Sequence, residues 1–241
     1  YDDFTNLMTK SSLTDKELKR LEMQYGFKMQ AYDLTPNAVK AYYTEQYKLA
    51  NQTRISMNKF LKGGQTSHAG RHIEISAELL TQYPIVQFVY KHETVHSALT
   101  FNDLMSHRRQ VEQYWNMLMN SENKAVAENL YLAAWWKYKK EPRAAHYFDS
   151  DIFTWNNVNI KEEVMANIIA GQHNPKHFQE QLEGYKKAIP NEQLRLWKAD
   201  AKPINYSDDL IEQNDIIFNS LVENCVNKSP NKILELPQLH E

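Results

Sequence analysis

The sequence predicts an α+β fold that is mostly α-helical and carries one small sheet. Only six glycines interrupt the 241 residues, and alternating β-branched runs are scarce. A single short stretch shows period-two alternation, just ahead of a long helical segment.

The elements follow in order. A first helix is expected from Thr14, where Thr14-x-x-Glu17 forms a capping box, to the Gly26 stop. A second follows Thr35-Pro36, with Thr as N-cap and Pro at the first helical position, and continues to about Asn51. Lys62-Gly63-Gly64-Gln65 reads as a loop. In Arg71-His72-Ile73-Glu74-Ile75-Ser76 the apolar Ile73 and Ile75 alternate with polar neighbours, which predicts the strand. After a turn at Tyr83-Pro84, a helix is expected over 85–100. Further helices are expected over 104–120, 122–140, 160–171, 175–187 and 207–225. The tail from Ser229-Pro230 to Glu241 is expected to be irregular.

Composition narrows the function classes. With 42% apolar and 24% charged residues the chain can bury its own core. Lys plus Arg number 28 against 30 Asp plus Glu, so the concentrated basic surface of a duplex nucleic-acid binder is not expected. The spots His107-Arg108-Arg109 and Lys137-Tyr138-Lys139-Lys140 read as solvated helix faces. One cysteine, Cys225, leaves no internal disulfide and no Cys-rich metal site, so a metal would be held by His and carboxylates. No apolar run approaches the roughly 20 residues of a membrane span, and Tyr1-Asp2-Asp3-Phe4 is not the start of a signal peptide. A soluble protein in a reducing compartment is the expectation.

The chemistry concentrates in His92-Glu93-Thr94-Val95-His96. Residues four apart share a helix face, so both imidazoles can point at one cation, while Glu93 stands beside it as a general base for an attacking water. On the order of 0.03 such matches arise by chance in a chain of this composition. Context strengthens the match, because His92 and His96 fall on the stripe of Ile85, Val89 and Leu99, the face expected to be buried. Two histidines turned towards a core need partners for their nitrogens, and one metal ion serves both. The strand ahead of this helix is read as an edge strand able to pair with an extended peptide.

Strand-like His72-Ile73-Glu74-Ile75-Ser76, followed by Val89-Tyr90-Lys91-His92-Glu93-Thr94-Val95-His96-Ser97-Ala98-Leu99, resembles the active-site portion of the zincin metallopeptidases over about residues 70–100. The resemblance implies a zinc-dependent peptidase and one zincin-like domain over 1–241. It would comprise a helical N-terminal part (1–65), a metal-site core (66–171) and a helical C-terminal part (172–241). Metzincins would continue the motif as HxxGxxH, but Leu99 and Asn102 stand at those positions. A gluzincin-like arrangement instead takes a glutamate from a later helix. Glu163 in Asn159-Ile160-Lys161-Glu162-Glu163-Val164-Met165-Ala166-Asn167 fits, with Asn167 four residues on and small Ala166 and Ala170 allowing close approach. Glu162 is the fallback, and His107, preceded by Ser106 and followed by Arg108 and Arg109, is the rival, otherwise read as a surface or substrate-binding histidine. His146 and Tyr147 are candidates for the donor to a developing oxyanion, with Tyr147 preferred. Trp135, Trp136 and Trp155 are read as packing or pocket walls.

The expected activity is hydrolysis of peptide bonds in a protein or peptide substrate, with Zn2+ on His92, His96 and Glu163. The competing class is a catalytically silent binding or regulatory module, against which the presence of Glu93 weighs, since binding needs no general base. The Asn- and Lys-rich composition and absence of disulfides resemble the metalloprotease toxins and effectors that bacteria deliver into host cells. That likeness implies a host-protein substrate, of which actin is one candidate, and residence in a host cytoplasm. A plain peptidase of a bacterial cytoplasm or of a phage fits the same composition.

Overall fold

The computed structural model describes residues 54–58, 64–67, 72–76, 83–100 and 104–227. The helices expected at 14–26 and 35–51 and the tail beyond 229 lie outside the described residues. Two compact units emerge, one of Tyr1–Asp103 with Asn214–Glu241 and the other of Leu104–Gln213.

In the first unit, strands β1 (Arg54–Asn58), β2 (Gly64–Ser67) and β3 (His72–Ser76) form a three-stranded sheet in the order β1-β3-β2. β3 runs parallel to β1, with Arg54 opposite His72, and antiparallel to β2, with Gly64 opposite Ile75. Gly64 and Gln65, expected in a loop, therefore begin a strand. The expectation that the strand before the motif helix is an edge fails. β3 is the central strand, so both of its backbone edges are already paired and no extended peptide can add to it. Helix α1 (Tyr83–Thr100) packs on β2 and β3. Its buried apolar residues are Phe88, Val89, Val95, Ala98 and Leu99. The Lys91 ammonium stands 4.1 Å from the centre of the Phe218 ring.

The second unit is helical throughout. It contains α2 (Leu104–Met119), α3 (Lys124–Lys139), a 3-10 turn (Pro142–Tyr147), α4 (Val158–Gly171) and α5 (Pro175–Lys186). A second 3-10 turn (Asn191–Leu196) follows. Helix α6 (Asp208–Asn227) starts in this unit, where Ser207 Oγ accepts from the Leu210 amide at 3.2 Å, and from Asn214 on its residues belong to the first unit. α4 packs against α2, α3 and α5, which explains why Ile160 through Gly171 are all buried. Rings of Trp115, Trp135, Phe153 and Trp155 surround Tyr131, with centroids 5.2 to 6.4 Å from its own. These tryptophans are packing groups, as expected of Trp135 and Trp155.

The α+β class is accordingly corrected. Across the residues whose side chains are described there is no strand, every buried core residue sits on a helix or its connections, and the class of that region is all-α. Among the described residues the sheet comprises three short strands, and a strand pattern in the sequence does not tell how much of the core a sheet will supply.

A strap after the second 3-10 turn is held by two carboxamides, one on α3 and one at its N-cap. Asn129 donates to the Lys198 carbonyl at 2.9 Å and accepts from the Lys198 amide at 2.8 Å. Asn123 does the same for Asn205, at 3.1 and 2.8 Å. Tyr206 then donates to the Ile168 carbonyl at 2.6 Å and lies against the end of α4, where a side chain on Gly171 would overlap its hydroxyl and press on Phe178. Gly171→Ala is expected to displace Tyr206 and destabilise the protein by about 1–3 kcal/mol, read as a lower urea midpoint; an unchanged midpoint would show that the strap yields freely.

Candidate metal centre

The motif helix α1 presents its two histidines as the sequence spacing predicts. His92 Nε2 and His96 Nε2 lie 3.1 Å apart, with the rings edge-to-face at a centroid distance of 4.8 Å. Two ligands about 2.0–2.1 Å from one tetrahedral ion stand about 3.3 Å apart, so this spacing suits a shared cation. Phe88, one turn earlier, stacks on the His92 ring at 6.2 Å. The Thr94 and Thr100 hydroxyls donate to the Tyr90 and His96 carbonyls at 2.7 and 2.8 Å, closing the helix around the motif. His92 and Glu93 are 8% and 7% exposed; His96 is half-buried.

In the second unit, α4 buries four polar side chains, Lys161, Glu162 and Glu163 in succession and Asn167 one turn on, and each has a partner. The cause is cost, since an unpartnered polar group in such a position would forfeit its hydration without return. Lys161 reaches both Glu112 oxygens, at 3.0 and 2.7 Å. Glu162 Oε2 lies 2.5 Å from His107 Nε2. Glu163, 3% exposed, accepts from the Tyr138 hydroxyl at Oε2 (3.1 Å), and the Tyr147 hydroxyl stands 3.5 Å from its Oε1. Asn167 donates to the Glu163 backbone carbonyl at 2.8 Å and accepts from Gln181 at 2.9 Å.

His92, His96 and Glu163 form a group that could hold a metal ion: each offers one ligand atom, and these atoms lie within 4.8 Å of one another. Of the expected ligands, then, the preferred set comes together. The two alternatives, Glu162 and His107, are hydrogen-bonded to each other. His107 is not a plain surface histidine, with its side chain 22% exposed, whereas Arg108 and Arg109 are exposed. Asn167, four residues on from Glu163, is engaged with the Glu163 carbonyl and with Gln181. His146 is exposed beside Tyr147.

Sequence reasoning missed Tyr138, Tyr185, Gln181 and Asn157. Asn157 caps α4, accepting from the Ile160 amide at 3.0 Å, and donates to the Tyr147 carbonyl at 2.7 Å, tying the 3-10 turn to the start of the Glu163 helix. Tyr185 accepts from Gln181 at 2.8 Å and packs on Tyr138. Burial, and then the Glu163 carboxylate, push the Tyr138 phenol well above its ordinary value, and burial first pushes Tyr185 up to about 12. Both hydroxyls therefore keep their protons near neutral pH. A signal for Tyr138 existed: Ala127, Tyr131 and Ala134 are fully buried at heptad spacing, and Tyr138 is the next position on that row.

No family model, curated protein or solved structure matches the chain. Among the described residues no helix is long and apolar enough to cross a membrane.

Proposed function

We infer that the chain is a zinc-dependent endopeptidase of gluzincin-like type. The observation that carries this reading is the grouping of the two motif histidines with Glu163, since imidazole and carboxylate donors in a site free of thiolates suit a catalytic zinc that keeps one position open. His92, His96 and Glu163 hold the metal. When bound, zinc lowers the pKa of water and polarises the scissile carbonyl.

The remaining steps belong to the chain's own side chains. Glu93, next to the first ligand on α1, takes a proton from the attacking water and delivers it to the leaving amine. Tyr147, whose hydroxyl lies 3.5 Å from Glu163 Oε1, is assigned as donor to the developing oxyanion; its closeness to the ligand carboxylate supports the role. The substrate is a protein, and an intracellular host protein such as actin fits the likeness to delivered bacterial effectors.

The test is proteomic. The zinc-loaded protein incubated with a cell lysate is expected to generate new protein N-termini that vanish with a chelator and return when zinc is restored. Identical N-termini in all three arms would remove the peptidase reading.

A further inference from the structure

Glu163 is a buried carboxylate with a support of its own, and that support has a direction. Tyr138, at the end of α3, holds Oε2 at 3.1 Å. Behind it, Tyr185 packs its ring on Tyr138 and its hydroxyl accepts from Gln181, and the same Gln181 amide reaches Asn167 Oδ1 at 2.9 Å. Asn167 lies one turn along α4 and donates back to the Glu163 carbonyl at 2.8 Å. The contacts form a closed ring over α3, α4 and α5: Glu163, Tyr138, Tyr185, Gln181, Asn167 and again Glu163. Nothing in core packing requires such a ring. A leucine at 138 would fill similar space, whereas a phenol there pins a carboxylate oxygen.

We propose that Tyr138 is a positioning residue for the metal ligand, fixing the pose of the Glu163 carboxylate through Oε2, with Tyr185 and Gln181 holding Tyr138 in turn. This rests on the reading that Glu163 ligates the metal. A carboxylate free to rotate about its last bonds must be ordered when the ion arrives, and a preset one has already lost that freedom. Outer-shell partners of metal ligands act in this way, and their loss weakens binding about 10- to 100-fold.

The experiment measures Zn2+ affinity of the full chain by competition with a chromogenic chelator, and the visible spectrum of the Co2+-loaded protein. Tyr138→Phe is expected to weaken zinc about 10- to 100-fold and to alter the cobalt bands, because the carboxylate is no longer held in one pose. In a Glu163→Ala background the same substitution should cost little, since its effect passes through that carboxylate. Wild-type affinity and an unchanged cobalt spectrum in Tyr138→Phe would overturn the proposal, as would an equal loss in both backgrounds. If Glu163→Ala alone keeps wild-type affinity, the ligand assignment itself falls; if it loses affinity while Tyr138→Phe does not, only the positioning role falls. Should Tyr138→Phe lose its cooperative urea transition, Tyr185→Phe supplies the reading. It is expected to weaken zinc several-fold, and an unchanged affinity there counts against the ring.

Discussion

Replacing Glu93 by Gln is expected to abolish proteolysis while leaving bound metal in place. Gln keeps the shape of the side chain and its ability to hydrogen-bond, but it cannot take a proton at neutral pH. A positioned general base contributes about 10²- to 10⁴-fold to rate, so the loss should lie in that range or fall below detection. Glu93 is 7% exposed on α1, and an isosteric change there should leave the helix and its two histidines intact. The measurement is a matched pair, wild type and Glu93→Gln, scored for new N-termini in a lysate and for metal content. Equal cleavage by both would mean that Glu93 is not the base.

The second large effect concerns the third ligand. Glu163→Ala removes the one carboxylate grouped with the histidines and is expected to lower zinc affinity by more than about 100-fold, beyond what loss of an outer-shell partner costs. His107→Ala is the control, and it should leave metal content at the wild-type level. Its imidazole pairs with Glu162, so its removal acts on the α2–α4 contact and should appear as lower stability. Metal analysis with the opposite result would transfer the third ligand to His107.

Much of the helical framework was legible from the chain. The helix expected over 104–120 is found at Leu104–Met119 and that over 160–171 at Val158–Gly171, because apolar periodicity and capping residues act locally. The His92 and His96 pairing was legible for the same reason: four residues in a helix make one turn. Glu163 was legible only as a pattern, since no local signal links residues so far apart along the chain.

What escaped was pairing at long range. Nothing local in His72–Ser76 reveals that β1 and β2 flank it on both sides, which is why it read as an edge. The His107 to Glu162 bond joins residues 55 apart, and from sequence these looked like rivals for one metal when they are partners of each other. Tyr138 was hidden by its lysine neighbours, whose charge drew attention from the buried row it belongs to.

The two carboxamides of α3 and its N-cap bear on how this protein can change over time. Asn123 and Asn129 grip the strap through the main-chain groups of Asn205 and Lys198, groups that almost every amino acid supplies. Mutation at 198 can therefore alter the outer surface without loosening the attachment, while mutation at 123 or 129 breaks it. Selection should weigh on the gripping residues and leave the gripped ones free to drift.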